Sequence, residues 1–98
     1  MNPLGYEGEW GFELQLETDF DMTGYNPTFM FTRPDGTRVS KTASAVTTLA
    51  AGDLEYTVEE DFLVKGKWTV QIWLTTGSRV LKGNIHHFTI GPPSVATP

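Results

Sequence analysis

Carboxylates are the most plentiful reactive groups in this chain of 98 residues, with twelve Asp and Glu against seven Lys and Arg. Acid–base chemistry at a glycosidic bond needs two of them converging on one substrate. Glu13 and Glu17 alternate with Leu14 and Leu16, which puts them on the solvent side of a strand, and Glu7 and Glu9 have no defined counterpart. Asp19-Phe20-Asp21-Met22-Thr23-Gly24 opens like a calcium loop, with carboxylates at alternate positions and a glycine for the bend. The twelfth position, however, is Met30, where that loop requires a bidentate carboxylate. The segment therefore reads as a solvated acidic loop.

His86 and His87 are the only histidines, and adjacent residues on a strand point to opposite faces, so they cannot share one metal or one proton relay. No Ser or Thr lies in a G-x-S-x-G context, and no glycine-rich loop opens a helix to hold phosphate. Cysteine is absent, which excludes a disulfide, a thiolate metal site and a thiol nucleophile. No catalytic, metal-binding or cofactor-binding residue is assigned, no cofactor is expected, and the chain reads as non-enzymatic.

The formal net charge of -5 has the wrong sign for neutralising phosphates, so nucleic acid is not an expected partner. No apolar run is long enough to span a bilayer, and Met1 to Gly5 lack a basic region followed by an apolar stretch, so no membrane association is expected either.

The elements that carry these residues alternate with period two. Trp10 to Glu17 has an apolar residue at every even position and reads as a half-buried strand. Thr28 to Thr32 alternates likewise and runs into Arg33-Pro34-Asp35-Gly36-Thr37, a turn sequence, with Arg38 to Thr42 as a charged edge strand returning from it. Thr42 to Ala51 reads as a loop with one further short strand, and Leu54 to Val58 as another strand. Glu59 to Val64 forms one helical turn crossing the end of the domain. Trp68 to Thr75 is the longest strand, followed by the turn Thr76-Gly77-Ser78, the arm Arg79 to Lys82 and a last strand from Ile85 to Ile90. This is an all-β pattern, an immunoglobulin-like β-sandwich of about seven strands over residues 1–91, with a flexible Pro-rich tail at 92–98. Trp10–Glu17 and Leu54–Val58 belong to one sheet; Thr28–Arg33, Trp68–Thr75 and Ile85–Ile90 belong to the other.

The register that buries Trp68, Val70, Ile72 and Leu74 turns Trp73 outward. By the same parity Met30, Ile85 and His87 face out beside it, so Trp73, Met30, Ile85 and His87 form a candidate apolar interface. The competing reading covers Trp73 with a loop, the tail or an N-terminal segment and makes it core. A third makes it a stacking platform for sugar, which needs further exposed aromatics.

The stretches "YEGEWGFELQLETDFDMTG", "FMFTRPDGT", "LEYTVEEDFLVKGKWTVQIWLTTGSRVLKG" and "HHFTI" together resemble the immunoglobulin-like domains of tailed-phage virion proteins, notably the baseplate upper protein N-terminal family. The resemblance spans Tyr6 to Ile90 and rests most on the hairpin at Arg33–Thr37, the strand at Leu54–Val58 and the Gly66–Gln71 strand start. It implies a phage or prophage structural adaptor acting by protein–protein assembly, located in the virion after synthesis in a bacterial host cytoplasm. Its implied partners are other virion proteins and copies of itself as a homo-oligomer. Members of that family carry further segments after the sandwich, so the early end of this chain implies a small accessory protein of head or tail, or an excised domain. The alternatives are a carbohydrate- or receptor-binding module of the same fold, and a spacer between other domains.

Overall fold

The computed structural model describes residues 4–18 and 20–92. Eight strands, β1 (Gly5–Tyr6), β2 (Glu13–Glu17), β3 (Asn26–Thr32), β4 (Arg38–Thr42), β5 (Ser44–Ala45), β6 (Asp53–Thr57), β7 (Gly66–Thr76) and β8 (Arg79–Gly91), form two sheets. One has five strands in the order β1-β8-β7-β3-β4, and the other three in the order β2-β6-β5. The two sheets pack as a β-sandwich, and the sheet membership follows the expected division. The tail lies, apart from Pro92, outside the described residues.

Apolar alternation explains the core. Phe29 and Phe31 of β3, Leu54 and Tyr56 of β6, and Trp68, Ile72 and Leu74 of β7 are all buried between the sheets. Phe31 sits at the centre of an aromatic cluster, with ring centroids 5.1 Å from Phe62, 5.7 Å from Tyr56, 5.8 Å from Phe29 and 6.2 Å from Trp68. These are largely edge-on contacts, the favourable geometry for aromatic quadrupoles. Trp68 also donates its Nε1–H to the Val64 carbonyl at 2.8 Å, so the large buried ring leaves no polar atom unpaired.

The hairpin forms at Arg33–Thr37 as its composition predicts. Arg33 N–H donates to the Thr37 carbonyl at 2.9 Å, Thr37 N–H donates to Asp35 Oδ1 at 2.8 Å, and Gly36 takes φ 89°. Gly66, where β7 begins, has φ 129° and packs so closely on Pro34 that a Cβ there would lie 2.7 Å from its ring.

Three local expectations are corrected and one pairing is added. The strand containing Trp10 starts only at Glu13: Gly8 and Gly11 adopt positive φ and bend the chain, leaving Trp10 59% exposed instead of in the core. Glu59 to Val64 makes no helix but a turn closed by Phe62 N–H on the Glu59 carbonyl, while the short 3₁₀ turn lies at Leu49–Ala51, capped by Thr48. Strand β1 pairs parallel with the end of β8, Gly5 opposite Ile90. The arm at Arg79–Lys82 and the last strand are one continuous β8, interrupted by a bulge.

Candidate interaction surface

The outer face of the five-stranded sheet is built by register. Arg38, Thr32, Thr69 and His87 align in one row, Ser40, Met30, Gln71 and Ile85 in the next, and Thr42, Thr28, Trp73 and Lys82 in a third. Trp73, Met30, Ile85 and His87 thus share one face, as parity requires. They are not one apolar patch, because Gln71 separates Met30 from Ile85 and hydroxyl side chains fill most of the remaining positions. Ile85 is 57% exposed and His87 exposed, whereas Met30 and Trp73 are half-buried.

What covers Trp73 is cationic. Lys82 Nζ lies 4.2 Å from the indole centroid and the Arg38 guanidinium carbon 5.8 Å from it, both within cation–π range. The ring is also oriented: its Nε1–H donates to Gln71 Oε1 at 2.8 Å, and Gln71 Nε2 donates to the Gly83 carbonyl at 2.8 Å. Gly83 lies in the bulge, where β8 spends two residues, Gly83 and Asn84, between Lys82 and Ile85 while β7 spends one, Ile72, between Trp73 and Gln71. Regular alternation from Ile85 through both Asn84 and Gly83 would instead turn Lys82 inward. Lys82 and Arg38 were not singled out by sequence; the signal that finds them is the cross-strand pairing of Lys82 with Trp73, which the bulge hides.

Charge is segregated between the two sheets. Strands β3, β4, β7 and β8 contain no Asp or Glu, while their outward positions include Arg38, Lys67 and Lys82. Strands β2, β5 and β6 contain no Lys, Arg or His. An ammonium above an indole, with its N–H groups free to donate and no carboxylate competing on the same strands, suits an anionic group.

The remaining polar groups do not converge on a reaction centre. His86 is opposite Val70 on the inner face, at a cleft of about 660 Å³ that opens between β2 and β8 over Met22, Ile72, Leu74 and Leu81. His87 is on the other face. Asp21 Oδ1 accepts from Thr23 N–H at 2.9 Å and Thr23 Oγ1–H at 2.6 Å, and these bonds, led by the hydroxyl, hold its carboxyl below the usual range. No group of three or more His, Asp or Glu side chains is placed to hold a metal among the described residues. At the opposite rim, Lys41 Nζ and the Tyr56 hydroxyl both donate to Glu59 Oε1 at 2.9 Å. The Lys41 bond first, then that from Tyr56, keeps the Glu59 carboxyl low; burial, followed by the Glu59 bond, pushes the Tyr56 phenol up. This is a brace across the end of the core. Beside it the Arg33 guanidinium lies 5.5 Å from the Phe62 centroid, its Nε buried without a partner.

No family model and no curated protein sequence matches the chain. Among solved structures, the crystal structure of CopC from Methylosinus trichosporium OB3b is similar, with a TM-score of 0.59 over 98% of this chain and 91% of that one, at 14% identity. The likeness shows the fold. It also overturns the phage reading: this neighbour is CopC and not a virion protein, so the adaptor role and its baseplate and tail placement are set aside.

Proposed function

We propose that this β-sandwich is a non-catalytic binding domain that uses the outer face of its five-stranded sheet to engage an acidic partner. The observation that carries this reading is the Trp73 indole held under Lys82 and beside Arg38 on a face whose long strands contain no carboxylate. Trp73 supplies apolar area and the two cations supply charge-assisted donors, and Trp and Arg are residue types enriched where binding energy concentrates. Its Nε1–H is already satisfied by Gln71, so the ring contributes its surface and not a hydrogen bond.

Titration with poly-L-glutamate at low salt, followed by calorimetry, tests this. Saturable binding is expected, lost in the Arg38→Ala/Lys82→Ala double variant. Absence of binding by the unaltered protein, or equal binding by the double variant, would overturn the reading.

A further inference from the structure

The two outward faces of the sandwich are complementary to each other. On the three-stranded sheet the outward rows are Glu13 with Thr57, then Gln15, Glu55 and Ser44, then Glu17 with Asp53. Glu17 and Asp53 are directly opposed carboxylates, and Glu55 sits diagonally between Glu13 and Glu17. Like charges directly opposed across strands destabilise the pairing. Among the described residues no ion pair relieves them: the one found is Lys41–Glu59, which belongs to neither outward face. The opposite side of the same molecule offers Arg38, Lys67 and Lys82 with no carboxylate on its long strands.

We infer that the acidic partner of the Trp73 face is the outer face of the three-stranded sheet of a second copy of this chain, so that copies dock head to tail. The inference rests on the proposed function and names its partner. A two-fold dimer through either face alone would set like charges against each other. Contact between unlike faces instead neutralises Glu17, Asp53 and Glu55 with Lys82 and Arg38 and covers Trp73. Such a contact is heterologous: a docked pair still has one free face of each sign, so assembly continues into a chain or closes into a ring. The smaller sheet limits the contact. Two five-residue strands and the two-residue β5, about 4.8 Å apart and rising about 3.3 Å per residue, give a footprint well under the roughly 800 Å² per partner of a standard interface. The association is accordingly weak and governed by charge.

Two complementary variants test the geometry, Arg38→Ala/Lys82→Ala with the basic face neutralised and Glu17→Gln/Glu55→Gln with the acidic face neutralised. All four positions are outside the buried core, and thermal melts of each variant verify folding. In sedimentation equilibrium the unaltered protein should form species heavier than a dimer with rising concentration at about 0.01 M salt. These should be lost at about 1 M, as the screening length falls from roughly 30 Å to 3 Å. Each variant alone should stay monomeric, and an equimolar mixture should give a discrete species of twice the single-chain mass, since each contributes the one functional face the other lacks. A monomeric unaltered protein, assembly by either variant alone, or a mixture that stays monomeric would overturn head-to-tail docking. If poly-L-glutamate still binds in that case, the acidic-partner reading stands and only the choice of partner fails; if it does not, both fail.

Discussion

Lys82 and Trp73 are cross-strand partners on β8 and β7, with the ammonium 4.2 Å above the indole and the indole N–H tied to Gln71. Exposed cation–π contacts contribute about 0.5–1 kcal/mol. Lys82→Ala should therefore lower unfolding free energy by no more than about 1 kcal/mol in urea denaturation. Its effect on poly-L-glutamate affinity should be larger than its effect on stability. Gln71→Leu removes the acceptor from the indole N–H and should cost about 0.5–1.5 kcal/mol.

The aromatic core should dominate stability. Phe31→Ala, which opens a void among Phe29, Tyr56, Phe62 and Trp68, should cost about 3–5 kcal/mol in chemical denaturation. Trp10→Ala should stay within about 0.5 kcal/mol, because that ring is 59% exposed. Equal costs would contradict the placement of Trp10 outside the core.

Two glycines are conformationally required. Gly52, at φ 82°, leaves no room for a Cβ beside the Thr18 carbonyl, and Gly66, at φ 129°, leaves none beside Pro34. Gly52→Ala and Gly66→Ala combine positive-φ strain of about 1–3 kcal/mol with steric displacement. Each should lower the melting temperature by several degrees, whereas Gly77→Ala, with open space around it, should not.

The Lys41–Glu59–Tyr56 brace predicts a pH dependence. The Glu59 carboxyl titrates lower in the folded chain than in the unfolded one, so the unfolded state takes up the proton first as pH falls. The stabilisation is complete above the usual glutamate range and disappears as pH drops through the folded value. Glu59→Gln should flatten the acid limb of a stability–pH curve relative to the unaltered protein, and a superimposable limb would show that Glu59 does not contribute. Above neutrality neither curve should rise or fall on its account.

Much of the fold was legible because alternation and turn chemistry are local. Trp68, Ile72 and Leu74 lie inside and Trp73 outside as parity alone requires, and Pro34, Asp35 and Gly36 form the hairpin their types favour. What was not legible depended on backbone angles or on distant pairing. Alternation through Trp10 and Phe12 looks like a strand until the positive φ of Gly8 and Gly11 bends it. The parallel pairing of Gly5 with Ile90 joins opposite ends of the chain and leaves no local mark. The Trp73 face was half legible: its four expected members are on one side, but the cations that define its chemistry were hidden. Charge segregation between sheets became visible only when sheet membership was combined with the positions of Asp, Glu, Lys and Arg.

The bulge at Gly83 and Asn84 divides β8 into two halves of opposite side-chain phase. Ile85 and His87 point outward from odd positions, Lys82 and Val80 from even ones. Deleting one of the two would restore a single phase with Lys82 still opposite Trp73, whereas a regular strand that kept both would draw Lys82 towards the interior and push Leu81 into water. The chemistry around Trp73 is thus encoded partly as a count of residues: deleting one bulge residue should leave Lys82 opposite Trp73, whereas deleting a residue elsewhere in β8 should shift the phase of one half against β7 and be far more disruptive.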